Sequence, residues 1–255
     1  MSTKVPGVNV AARERYLHVG LHADSPLPAA AVRAVGEDEL FLAFDSVALG
    51  RGLASSRLDD APRPPVAWGM NDAGLGHGTT EVAWAQVTPA SAGGAIMQAA
   101  ASVLSDALDT ILEVEVSGVH VVTDVEDLVG LAAATEQRGA SSAVSADVSR
   151  LTVDVSAHVS CTAADVERAV FSTGYFEHLR SAGRAAGTLD DLSGSWRVHA
   201  DPALDPLGPP AHLAFRAEVA AVGLTMMIDT ATIFLQALKD LGAHGPALVL
   251  VRTNR

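Results

Sequence analysis

Glu81 is the residue best placed for chemistry. It opens the apolar run Val82-Ala83-Trp84-Ala85, directly behind a glycine-rich segment, Gly69 to Gly78, that carries Asn71, Asp72 and His77. Glycine leaves a backbone free to wrap closely around a ligand. A carboxylate drawn into an apolar strand loses water, and loss of water favours the protonated acid, the state that general acid or base catalysis draws on. Glu81 is therefore the candidate acid/base. His77 is its candidate partner and Asn71 a polar contact to substrate. A hairpin turn through Gly76 and Gly78, with His77 in solvent and Glu81 paired at a sheet edge, is the structural alternative.

A second group lies in Ser195-Trp196-Arg197-Val198-His199, followed by Asp201. Arg197 offers the two-pronged donor geometry that holds a carboxylate, and His199 titrates near neutral pH and can move protons. Arg63 is a further candidate anchor for an anionic group. An Arg197–Asp201 surface pair is the alternative. His18 and His22 fall on one face of a strand, and His158 holds a comparable place later in the chain. That trio would bind a metal only if the two strands were neighbours. The favoured reading needs no metal and no cofactor.

Motifs that are missing narrow the field. The chain has no GxGxxG after a strand, no GxxxxGK[ST], no HExxH and no GxSxG, which disfavours nucleotide-driven chemistry and serine hydrolysis. Lysine Schiff-base chemistry is disfavoured too, since the lysines are Lys4 and Lys239. Cys161, the single cysteine, excludes an intrachain disulfide and a thiolate-rich zinc site.

These residues need a scaffold, and the hydrophobic periodicity outlines one. Arg15 to His22 alternates with period two and reads as a strand. PLPAAAVRAV reads as a short helix ending at Gly36, Glu39 to Leu49 as β-like, and residues 50–78 as loop. Glu81 to Val87 reads as a strand, with Thr88 as N-cap and Pro89 opening a helix whose apolar face includes Ile96, Ala100, Leu104 and Leu108. LEVEVSGVHVV alternates as a strand, a short helix spans about residues 124–135, and QRGASSAVSA is the linker. Beyond it come a strand at RLTVDVSAHVS, a helix opened by Thr162 with Asp165 and running to about Arg184, strands at SWRVHA and HLAFRAEVAAV, a helix from about Thr225 to Leu241 closed by Gly242, and a final strand, ALVLVR.

Set side by side, residues 1–136 and 137–255 read as two βαββαβ halves. VAWAQV from Val82 matches LAFRAEV from Leu213, and SVLSDAL with Leu104 matches IFLQAL with Leu235, each 131 positions on. AAVRAV ending at Val35 matches DVERAV ending at Val170. The expected fold is α+β, two tandem ferredoxin-like halves with mainly antiparallel sheets. This layout resembles the dimeric α/β-barrel and the RidA/chorismate-mutase-like groups, and the resemblance implies architecture alone. The uncovered sheet face, apolar but dotted with His, Ser, Arg and Trp, must be roofed by the other half or by a second copy. A homodimer is expected, with a ligand cavity under the roof.

Composition bounds the partners. The net charge of -13 repels phosphate backbones and anionic lipid, so nucleic-acid and membrane binding are not expected. The run Val219 to Ile228, closed by Glu218 and Asp229, falls short of the roughly 18 residues of a spanning helix. The first residues carry no readable secretory signal, and the cytoplasm is the expected compartment. The function expected is cofactor-independent acid-base catalysis on a small organic substrate such as an aromatic or keto acid: a cyclisation, condensation, isomerisation or lyase step. A noncatalytic assembly subunit and a His-ligated metalloenzyme are the alternatives.

Overall fold

Alternation in the strands and a helical repeat between them produce a sheet with helices on one side. The computed structural model describes residues 16–36, 38–54, 66–76, 78–89, 93–128, 149–176, 178–183, 211–219 and 222–254. Among these, the strands are β1 (Leu17–His22), β2 (Trp68–Leu75), β3 (Glu81–Pro89), β4 (Gly118–Asp124), β5 (Ser149–His158), β6 (His178–Gly183), β7 (Ala211–Val219) and β8 (His244–Asn254). The helices are α1 (Ala29–Ala34), α2 (Glu39–Gly50), α3 (Gly94–Ile111), α4 (Ala163–Phe171) and α5 (Leu224–Asp240), with a 3-10 turn at Val125–Asp127. All eight strands form one antiparallel sheet, in the order β2-β3-β1-β4-β8-β5-β7-β6.

The order is symmetric about its centre. Reading outward from the β4–β8 seam gives β4-β1-β3-β2 on one side and β8-β5-β7-β6 on the other. Instead of facing each other, the two sets of strands lie edge to edge. Leu17, Val19 and Leu21 of β1, Val119 and Val121 of β4, Val249 and Val251 of β8, and Val153 and Val155 of β5 all join one buried cluster with Leu104, Leu108, Phe234 and Leu238 of the helices. Burying those side chains between sheet and helices is the main driving force for the fold, at about 1.5–3 kcal/mol each. The helices also pack on one another, α2 on α3, α3 on α5 and α4 on α5. Gln98 of α3 donates a hydrogen bond to Asp229 of α5.

Several expectations need correction. Glu39 to Leu49 is a helix, because the buried residues Leu40, Phe44 and Ala48 recur every fourth position and face α3. Residues 68–75, read as loop, are the edge strand β2; its glycines and exposed polar residues hide the alternation, and its register shifts between Met70 and Asp72. Thr88 and Pro89 end β3, and α3 starts only at Gly94, capped by extended backbone at Gly93. The helix opened by Thr162 stops at Phe171, and β6 follows. In the strands the 131-residue match is one position out. Trp84 stacks near His18 on the face opposite the helices, whereas Phe215 packs on Phe234 on the helix side. A strand shifted by an odd number turns every side chain over; a displacement of 130, Glu81 to Ala211 and Gly94 to Leu224, matches the element starts. The linker, the division at residues 136/137 and the strand SWRVHA lie outside the described residues.

Candidate active site on the sheet face opposite the helices

The face opposite the helices carries His18 and His22 of β1, His120 of β4, and Trp84 of β3. Their positions follow from pairing: Gly20 lies between Trp84 on one side and His120 on the other, while His22 stands opposite Gly118 and, across a register shift, opposite Glu81. That shift turns Glu81 onto the histidine face. His18, His22 and His120 are each 1% exposed and Glu81 0%. Val122, Leu248 and Leu250 form a small separate apolar cluster beside them, so the middle of this face is dry.

Glycines make the room. A Cβ on Gly20 would lie 2.1 Å from Cε1 of His120, so the imidazole lies flat over bare backbone. A Cβ on Gly118 would lie 2.9 Å from Cγ of Arg252, whose side chain crosses the strand there. Trp84, His18 and His120 stack in near-parallel planes, with centroids 5.7 Å and 5.1 Å apart and planes at 17° and 18°.

The polar contacts run in a chain. Arg252 Nη2 donates to Thr80 Oγ1 at 3.3 Å, Thr80 Oγ1 lies 3.4 Å from His22 Nδ1, and His22 Nε2 lies 2.8 Å from His120 Nδ1. Glu81 Oε1 is 3.9 Å from His120 Nε2 and 3.8 Å from His18 Nε2. Thr80 and Arg252 are half-buried, so the chain links the dry centre to its rim. Burial lowers the pKa of His22 from 6.5 to about 3, helped by the charge of Arg252 and by His18. Burial also holds His120 well below 6.5, against the opposing pull of Glu81. Both imidazoles are therefore neutral at pH 7. Among the described residues no carboxylate pairs with Arg252, and its buried Nε has no hydrogen-bond partner.

Such a centre can do two things. Neutral imidazoles joined to a buried carboxylate can pass protons. The ligand atoms of His18, Glu81 and His120 also all lie within 4.8 Å of one another, close enough for one metal ion.

Of the expected site residues, Glu81 is at the centre. Asn71 is not: it is exposed on β2 and accepts a hydrogen bond from Thr88, roughly 23 Å along β3 from Glu81 at the usual strand rise. His77, His199, Arg197 and Arg63 lie outside the described residues. The trio His18, His22 and His158 does not form, because β4 and β8 separate β1 from β5, roughly 14 Å at ordinary strand spacing. His120 and Arg252 were missed by sequence reasoning. The signal available for His120 was its place on the polar phase of GVHVV, the same phase that singled out His18.

A cleft of about 690 Å³ at the far edge is lined by Arg150, Arg180, Arg216, His178 and Glu218. It belongs to β5, β6 and β7, and β7 is four strand spacings from β1, roughly 19 Å. One small substrate cannot reach both places. No protein-family model matches the sequence, and no curated protein gives a significant match. No described helix is long and apolar enough to cross a membrane.

Proposed function

We propose that the chain is an enzyme that moves protons on a small organic anion, with Glu81 as the acid/base, His120 and His22 as its relay to the rim through Thr80, and Arg252 as the anchor for the anionic group. The observation that carries this reading is the wholly buried Glu81 carboxylate within 3.9 Å of two imidazoles. Buried carboxylates beside imidazoles are costly to fold and concentrate at sites of chemistry. Arg252 supports the second part, since a half-buried guanidinium with spare donors suits a carboxylate from outside the chain. Isomerisation, cyclisation, condensation and lyase steps all fit proton transfer at such a centre.

The symmetric strand order supports a duplicated βαββαβ unit, ferredoxin-like in each half, with the chemistry kept in the first. In the second half the same sheet face carries Thr152, Asp154 and Ser156 on β5 and His212 and Arg216 on β7, and among the described residues no second group like His18, Glu81 and His120 gathers there. A homodimer and a cytoplasmic location complete the proposal.

The test is a panel of aromatic and keto acids, scored by thermal shift and by turnover, on the wild type and on Glu81→Gln. Turnover that disappears in Glu81→Gln while its melting temperature stays within a few degrees supports the reading. A noncatalytic assembly subunit would bind none of the panel, and that result would sink it.

A further inference from the structure

We propose that His18 Nε2, Glu81 Oε1 and His120 Nε2 hold one divalent transition-metal ion of the zinc type, with His22 orienting His120 from behind and one coordination position left for substrate or water. The inference rests on the reading above for the role of the open position and changes one part of it: with the ion bound, Glu81 and His120 act as ligands, and the water or substrate at the open position takes over the proton transfer.

Three observations carry it. The first is reach. With two separations of 3.8 and 3.9 Å and all three within 4.8 Å, one point lies about 2.2–2.5 Å from every ligand atom, a few tenths of an ångström beyond the roughly 2.0–2.2 Å of zinc bonds to nitrogen and oxygen. Direct hydrogen bonds from either Nε2 to Oε1 would need distances near 3 Å. The observed gaps exceed a direct hydrogen bond and match the separation of two ligands on one cation.

The second is the direction of the imidazoles. His120 uses Nδ1 for His22, at 2.8 Å, which turns its Nε2 toward Glu81. When Nδ1–H donates to His22 Nε2, the Nε2 of His120 carries only a lone pair. A ligating histidine almost always spends its other ring nitrogen in this way. His22 in turn has Nδ1 beside Thr80, so its own tautomer has a partner on either side.

The third is construction. The ligands come from three adjacent strands, and Gly20 provides the only kind of residue that lets the His120 ring lie across β1. Two imidazoles and one carboxylate favour zinc, iron, cobalt, nickel or copper over calcium or magnesium, which prefer all-oxygen shells. With three protein ligands such a site retains an open position, the pattern of catalytic rather than structural zinc. An ion there would polarise a carbonyl or carboxylate oxygen of a substrate held by Arg252.

The experiment is titration of the chelator-treated full chain with Zn²⁺ and Co²⁺. Calorimetry should give one ion per chain, and Co²⁺ should develop visible absorption bands of a low-coordinate nitrogen–oxygen site. His120→Ala and Glu81→Gln should each weaken binding at least 100-fold, His22→Ala about 10–100-fold through the lost orienting bond, and His244→Ala not at all. His18→Asn serves as the ligand variant if either of the first two fails to fold. A folded wild type that takes up neither ion, or ion binding indifferent to all the ligand variants, would overturn the inference. Absence of ion binding together with Glu81-dependent turnover on the acid panel would overturn the metal alone and leave the proton-transfer reading standing.

Discussion

Gly20 and His120 face each other across β1 and β4, and the imidazole occupies the volume that any side chain at position 20 would need, with a Cβ placed 2.1 Å from Cε1. The ring cannot withdraw easily, since His18 stacks over it and His22 is bonded to it. Gly20→Ala should therefore push His120 off its partners. Overpacking of a dry site costs about 1–3 kcal/mol, read as a lowered denaturation midpoint. The same variant should lose proton-transfer activity and Co²⁺ absorption together. An unchanged His120 ring resonance in Gly20→Ala would contradict the packing described.

Acid should destabilise the metal-free protein earlier than its carboxylates alone would. His22 titrates at about 3 when folded and near 6.5 when unfolded, and His120 is shifted in the same direction. Above 6.5 both states are neutral and nothing is lost. As pH falls from 6.5 toward 3 the unfolded chain takes up protons that the folded chain refuses, so each such histidine removes about 1.4 kcal/mol per pH unit. Urea midpoints measured with chelator from pH 7.5 to 4.5 should fall with that slope, and His22→Gln should flatten it.

Arg252→Met should leave the fold in place, because its Cγ contact over Gly118 persists, yet abolish affinity for anionic ligands. It also removes a positive charge that depresses both His22 and His120. Their ring resonances should accordingly titrate at higher pH than in the wild type. Anion binding retained at full strength would remove Arg252 from the site.

Thr162→Ala tests a feature far from the centre. Thr162 Oγ1 accepts from the Asp165 amide while the Asp165 side chain accepts from the Thr162 amide. Loss of such a cap costs about 1 kcal/mol, and thermal unfolding should report it with no effect on the acid panel. A loss of activity larger than the loss of stability would link α4 to the chemistry.

That cap was legible because it is local: Thr and Asp three residues apart before an apolar repeat define it. The same holds for β1, β5 and α5, whose periods are clean. The helix at Glu39 to Gly50 was harder, because apolar residues also fill positions between its buried ones, such as Phe41, Leu42 and Ala43, and blur period four into a continuous run. Glu81 was found from the abrupt change of polarity at the start of its strand. Its neighbours His18 and His120 were not linked to it, since they come from two other stretches of chain and are gathered only by the strand order. Asn71 was chosen for its nearness in sequence to Glu81, and nearness along a chain that turns at Gly76 and Gly78 does not carry into space.

The β4–β8 seam determines how the protein can be assembled. β8 follows every other strand in the chain, yet it occupies the middle of the sheet, bonded to β4 on one side and β5 on the other. Until it is inserted, β4 ends in unpaired backbone and Arg252 is missing from the histidine centre. Insertion of β8 thus covers the free edges of β4 and β5 and brings Arg252 to the histidines in one step, so the sheet and the polar cluster on it are completed together.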